Sequence, residues 1–301
     1  MSSLQQARSD APASVSASRG SVLFLDVHPY AQIGHQVSSW IAGLLWAKDL
    51  GIGYAGGSLS SDPDEFFNFA TQQVKRQPRS KVIRLKAVGD ERDSSSLADL
   101  RIQIERATRK YGGRALSFRL ATNPARWDQT PAQDAVRAAV LSGPRGTDLL
   151  ALENGEPYIA IHIRRGDVSQ DYISAGINRW VPEHRYVDLI ETIRKEPHLA
   201  HLEVRVYALG TMDDFKLLEA AGATLYLGGS RDDDFIALAA AKILILSPSS
   251  FSFTAALASR SIVFGRVPWW HFIPNEGRWV HMSDEWNFDA SDLSRALTAS
   301  P

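Results

Sequence analysis

From Tyr158 to Phe264 the chain alternates short apolar runs with helical stretches, and this alternation constrains the fold more than any other feature. Runs at Tyr158–Ile163, Glu203–Leu209, Thr224–Leu227, Ile243–Leu246 and Ile262–Phe264 read as strands. Between them, Pro182–Lys195, Met212–Ala221, Asp232–Ala241 and Phe251–Ser259 carry helical spacing. Strand, helix and strand joined by short connections imply a parallel sheet with right-handed crossovers. The first half follows the same rule less regularly. It predicts strands at Val22–Val27, Ile52–Ala55, Lys81–Val88 and Ala115–Leu120. Helices are expected at His35–Leu50, Pro63–Gln77, Ser94–Tyr111 and Thr130–Leu141, with Gly51 stopping the first and Asp62 capping the second. The Gly- and Pro-rich stretch Ser142–Pro157 is the expected inter-domain linker, within which Thr147–Leu152 can extend a helix. The chain of 301 residues thus divides into a leader (1–20), an α/β domain (21–150), a second α/β domain (155–270) and a tail (271–301) packing back across both.

The strand at Tyr158 ends unusually. After Y-I-A-I-H-I come Arg164, Arg165, Gly166 and Asp167. Two guanidinium groups cannot be buried unpaired, so the strand must finish at the carboxyl edge of its sheet, where open α/β sheets bind ligands. Alternation places Tyr158, Ala160, His162 and Arg164 on one side, and Ile159, Ile161, Ile163 and Arg165 on the other. His162 and Arg164 then point the same way, about 7 Å apart. A planar cation there suits phosphate, and Arg165 is placed to pair with Asp167 around Gly166. The bland reading is a structural ion pair at a strand end.

Two more strand ends carry ligand-capable loops. After Leu246 the chain reads S-P-S-S-F-S-F, so Ser249, Ser250 and Ser252 stand where a helix starts. Hydroxyls and free backbone N–H groups at a helix N-terminus make a phosphate site, although serine also caps helices that bind nothing. Between the first strand and helix runs Ala31-Gln32-Ile33-Gly34-His35-Gln36, where a glycine lets backbone approach a ligand. The triplet Asp232-Asp233-Asp234 can hold a divalent metal or merely favour the positive end of its helix, and Asp234 can accept hydrogen bonds from a base edge.

Composition narrows the partners. Formal net charge is -1, from 33 basic and 34 acidic residues, so no global field draws the protein to nucleic acid or an anionic membrane. Any anion site must be local. There is no cysteine, which excludes disulfides and thiolate metal sites and fits a cytoplasmic protein. No run approaches the ~18 apolar residues of a membrane span. Residues 1–20 are rich in Ser and Ala and lack the hydrophobic region of a secretory signal, so a disordered leader is expected.

Together these residues resemble the fucosyltransferase superfamily, the α1,2-, α1,6- and protein-O-fucosyltransferases that use GDP-fucose. The His-x-Arg-Arg-x-Asp motif matches His162, Arg164, Arg165 and Asp167. The Gly-x-Gln loop matches Gly34, His35 and Gln36, and the late Asp…Ser-Ser segment matches Asp234, Ser249 and Ser250. Two departures stand out: His35 where many relatives have Asn, and Phe253-Thr254 in place of the aromatic pair common after the serines. The resemblance implies a GT-B architecture, two Rossmann-like domains facing a cleft, with the donor nucleotide mainly on the C-terminal domain. It implies that Arg164 binds the β-phosphate and neutralises the leaving group, while His162 and Asp234 contact the guanosine. Ser249 and Ser250 would hold phosphate oxygens, and Gly34, His35 and Gln36 would close on the pyrophosphate from the other domain. Arg165 and Phe251 complete the expected donor wall. No metal or cofactor is implied.

The implied reaction is inverting transfer to a glycan hydroxyl. Asp171, in the loop after the arginine motif, is the first candidate for general base, with Asp26 and His28 as rivals. Trp180, Trp269 and Trp270 are candidates for stacking on sugar faces or for core filling. Two other readings stay open: a GT-B transferase with a different nucleotide sugar, and a catalytically silent module that binds a nucleotide sugar or glycan.

Overall fold

A computed structural model describes residues 20–25, 32–57, 66–86, 93–120, 127–171, 173–174 and 177–299. The leader up to residue 19, Asp26, His28 and Asp62 lie outside the described residues.

The first lobe holds β1 (Val22–Leu25), α1 (Ile33–Leu50), β2 (Gly53–Gly57), β3 (Lys81–Arg84), α2 (Ser94–Lys110), β4 (Leu116–Leu120), α3 (Gln133–Leu141) and α4 (Gly146–Glu153). Its four strands run parallel in the order β2-β1-β4-β3. The second lobe holds β5 (Tyr158–Ile163), the β6–β7 hairpin (Ile173–Ser174, Ile177–Asn178), α5 (Glu183–Ile193), β8 (Glu203–Ala208), α6 (Lys216–Ala220), β9 (Ala223–Leu227), α7 (Arg231–Ala240), β10 (Ile243–Ile245), α8 (Ser250–Ala258), β11 (Ile262–Arg266), β12 (Trp279–Met282) and α9 (Ala290–Ala299). Six of its strands form one parallel sheet in the order β12-β11-β10-β5-β8-β9.

Strand alternation explains how the second sheet is covered. Tyr158, Ala160, Leu244 and Val263 point to the face shared with the first lobe, where α7 and α8 pack. Ile159, Ile161, Ile163, Val204, Val206 and Ile245 point to the outer face, under α5 and α9. Both sides are apolar because a parallel sheet is buried on both faces. Helix α1 ends where expected: Gly51, at φ 67, lets its N–H reach the carbonyls of Ala47 and Lys48.

One sequence expectation of the fold changes. Of the helix expected over Pro63–Gln77, Phe66 is helical, and the described residues beyond it form a 3₁₀ turn at Phe69–Gln72 followed by extended chain. Phe66, Phe67 and Phe69 turn inward onto Trp40 and Phe235. The backbone N–H groups of Asn68 and Val74 are bonded to Ala139 and Tyr54, so tertiary pairing replaces a helical ladder. The linker is a structural tie. Its helix α4 buries Leu149, and Glu153 takes a two-pronged ion pair from Arg137, which also donates to the Ala258 carbonyl of α8. The tail supplies β12 to the second sheet and α9 to its outer face, while His271 and Arg278 reach Gln129 and Gln133 of the first lobe.

Candidate active site

A cavity of about 610 Å³ opens between the lobes at the carboxyl ends of β5 and β8. It gathers Gly34, His35 and Gln36 from α1, His162, Arg164 and Arg165 from the end of β5, Asp234 from α7, and Ser249, Ser250 and Phe251 from the start of α8. The Arg164 and Ser249 stretches, 85 residues apart in the chain, meet here with the start of α1 from the first lobe.

The β5 end behaves as alternation demands, with one change of partner. Arg164 holds Asp167 in a two-pronged ion pair, through Nε to Oδ1 at 3.0 Å and Nη2 to Oδ2. Its Nη1 points to the Ser249 hydroxyl at 3.4 Å. Asp167 was expected on Arg165. Gly166, at φ +87, turns the chain so that the carboxylate returns to the Arg164 side. The Arg164 guanidinium holds the Asp167 carboxyl below the usual range. Arg165 points outward, donates to the carbonyls of Arg164 and Val181, and lies 4.8 Å from the Trp180 ring. It borders the cavity with its donors used elsewhere.

His162 shares its face with Tyr158 and Ala160. Its Nδ1 meets the Ser247 hydroxyl at 2.8 Å. Burial and then the Arg164 charge push its pKa down to about 3, so the ring is neutral and its other nitrogen remains for a ligand. Phe251 lies 5.4 Å from the ring centroid.

The serine loop divides. Ser249 caps α8 and accepts from the Phe251 N–H at 3.3 Å. The Ser250 hydroxyl meets His271 Nε2 at 2.8 Å, and His271 Nδ1 lies 3.5 Å from Gln129 Nε2. Ser252 does not join the expected cluster, because its hydroxyl turns inward to the carbonyls of Ser247 and Ser249.

Gly34, His35 and Gln36 are not a loop. Helix α1 starts at Ile33, so they form its first turn. A Cβ on Gly34 would stand 2.6 Å from the Ser250 carbonyl carbon and 2.7 Å from the Phe251 nitrogen. The glycine therefore lets the starts of α1 and α8 touch. His35 is half-buried, and burial, then Arg179 and Arg164, keep its imidazole below the usual range.

The acidic triplet spreads. Asp232 pairs with Arg231, and Asp233 pairs with Arg145 and caps through Ser230. Asp234 lines the cavity, as does Arg231, and burial together with Asp233 pushes the Asp234 pKa up to about 6. Asp171 is exposed in the turn before β6 and does not line the cavity. The tryptophans pack elsewhere: Trp180 under Arg165, and Trp269 against His271 and Phe253. Tyr207 and Leu209 do line the cavity, and sequence reasoning missed them. Tyr207 is the register partner of His162 on β8, so the pairing of those two strands is the signal that would have found it.

Two α/β lobes, each built on a parallel sheet, with a cavity at the strand ends of the second make this a GT-B fold. The chain is similar to POFUT1 in complex with GDP-fucose, at TM-score 0.50 and 11% identity over 82% of this chain and 97% of that one. It is also similar to a glycosyl transferase family 9 protein from Veillonella parvula DSM 2008, at TM-score 0.46 and 8% identity over 95% and 99%. A third likeness is to an Arabidopsis thaliana FUT1 mutant in complex with GDP, at TM-score 0.44 and 10% identity over 82% and 71%. No family model and no curated protein matches the chain. At these identities the likeness is one of fold.

Proposed function

We propose that this protein is an inverting glycosyltransferase that moves fucose from GDP-fucose to a glycan hydroxyl. The observation that carries the reading is the convergence of Arg164, the Ser249 hydroxyl and the N-terminus of α8 on one cavity. That set suits a diphosphate, since a fixed cation, a hydroxyl and oriented N–H groups stabilise negative charge without reorganising. Asp167 holds the Arg164 fork in place by two contacts. Neutral His162 and ionised Asp234 supply hydrogen-bonding groups to a guanine edge, with Tyr207 and Phe251 as apolar walls.

In this reading the glycosidic bond to the β-phosphate breaks as the acceptor oxygen attacks the anomeric carbon from the opposite side. Charge grows on the departing GDP, and Arg164 with the α8 N-terminus offsets it, so no metal is required. Arg164→Ala is expected to lower kcat by about 10²–10³-fold, the usual loss when one preorganised donor is removed. Arg164→Lys should recover only part, because an ammonium cannot bond a carboxylate and a phosphate as a planar fork does. Calorimetry with GDP-fucose, GDP-mannose and UDP-glucose tests the donor, and GDP release with a panel of glycan acceptors tests transfer. Full activity in Arg164→Ala, or tighter binding of a uridine donor, would overturn the assignment.

A further inference from the structure

We infer that His35 is the catalytic base, taking the proton of the acceptor hydroxyl from the first-lobe side of the cavity. This rests on the transfer reaction proposed above.

The proton acceptors on the wall are few, and most are committed. Among the described lining residues, Asp167 is held by Arg164 on both oxygens, and His162, with Nδ1 on Ser247, offers its other nitrogen to the guanine edge in the reading above. Asp234 stands on α7, where the charge acting on it is that of Asp233. Asp171 lies outside the cavity. His35 remains, on the cavity wall and with a ring that has no hydrogen-bond partner among the described residues. Its backbone is pinned by the contact of Gly34 with the start of α8, next to Ser249 and Ser250.

Its surroundings also suit a base. Asp167, ion-paired with Arg164, and Asp234 line the same cavity, while the groups coupled to the ring are Arg164 on the second lobe, Arg179 after the β6–β7 hairpin and His271 in the tail. All three are cationic or neutral, and α1 presents its positive end at the same point. These keep the ring unprotonated, as a base must be before the reaction. A diphosphate bound on Arg164 adds negative charge beside the imidazole and raises its proton affinity. Donor binding therefore strengthens the base, and the growing charge on the leaving group strengthens it further.

The step balances as follows. The acceptor oxygen forms the new bond to the anomeric carbon, and its proton passes to the His35 imidazole. The bond from that carbon to the β-phosphate oxygen breaks, with its electron pair leaving on GDP. The imidazolium then releases its proton to solvent.

The test compares the wild-type protein with His35→Asn and His35→Gln. Both variants should bind GDP-fucose within about threefold of wild type by calorimetry and keep its melting temperature, because the ring makes no bond that holds the fold. Both should lose about 10²–10⁴-fold in kcat, the usual contribution of a general base. The acid limb of the kcat profile should disappear with them. Independently of turnover, the His35 ring resonance should titrate at a higher pH with GDP-fucose bound than without. If His35→Asn transfers at the wild-type rate, the base assignment falls while the transfer reading stands. A wild-type protein that transfers to no acceptor overturns both.

Discussion

Asp234 is a carboxylate on the cavity wall whose acidity is set by burial and by Asp233, and that acidity should be visible in ligand binding. Burial and Asp233 raise its pKa to about 6 in the free protein. Hydrogen bonds from a guanine edge would stabilise the ionised form and lower that value. A group whose pKa falls on binding weakens the ligand as pH drops through its free-state pKa. GDP-fucose affinity should therefore be level above pH 6 and fall below it, by at most tenfold per pH unit. His35 acts in the opposite sense, since its protonation would favour an anion. Comparison with Asp234→Asn isolates the effect: the variant should bind about 10–100-fold more weakly at neutral pH, the loss expected for hydrogen bonds to a charged group, and lose the acid-side slope. Calorimetry between pH 7.5 and 5 is the check, and the same slope in both proteins would remove Asp234 from the base pocket. His271 makes a related point. With Gln129 Nε2 donating to its Nδ1, the ring must carry its proton on Nε2 and give it to Ser250. That leaves the Ser250 hydroxyl proton free for a phosphate oxygen. Neither Gln129 nor His271 stands near a recognisable motif, so this support was invisible in the sequence.

At the scale of elements, the site depends on two helix starts in contact. Gly34→Ala would place a Cβ within 2.8 Å of the backbone and Cβ of Ser250, where no flexible side chain can yield. Overpacking of this kind costs about 1–3 kcal/mol. The melting temperature should drop by several degrees, and GDP-fucose should bind more weakly because the α8 N–H groups move with the helix. Calorimetry of the variant checks both, and an unchanged melting point with unchanged affinity would show that the helices have room. The elements themselves were largely legible where the pattern is local. Strand β5 spans the expected six residues, and α2, α5, α7 and α8 begin within a residue of their signals. The misreadings share a cause, which is pairing with distant chain. Residues 67–77 leave the helix expected over Pro63–Gln77 because Ala139 and Tyr54 claim the N–H groups of Asn68 and Val74. Gly34 read as a ligand loop because nothing local announces Ser250. Asp171 read as a cleft residue because its loop follows β5, yet the hairpin carries it away from the cavity.

At the scale of the molecule, the two lobes on either side of the expected linker are joined by continuous packing. One apolar core runs from Leu23, Trp40 and Phe118 of the first lobe through Tyr158 and Phe235 to Phe253 and Trp279 of the second. The half-buried pair of Arg137 and Glu153 ties α3, α4 and the end of α8 together, and Arg278 bonds Gln133 from the tail. Separating the lobes would expose that core and break the bonds from Arg137 to the Ala258 carbonyl and from Arg278 to Gln133, a loss of about 1.5–3 kcal/mol for each hydrogen bond made by a charged group. The cavity is thus built from two lobes that share their stability, and a ligand held on Arg164 and Ser249 should be felt by both. Calorimetry should show one cooperative unfolding transition. GDP-fucose at a hundred times its dissociation constant should stabilise the folded state by about 2.7 kcal/mol and move that single transition upward as a whole. Two transitions, of which the ligand moves only the one lost with β5, would mean that the lobes fold independently and that the shared core does not couple them.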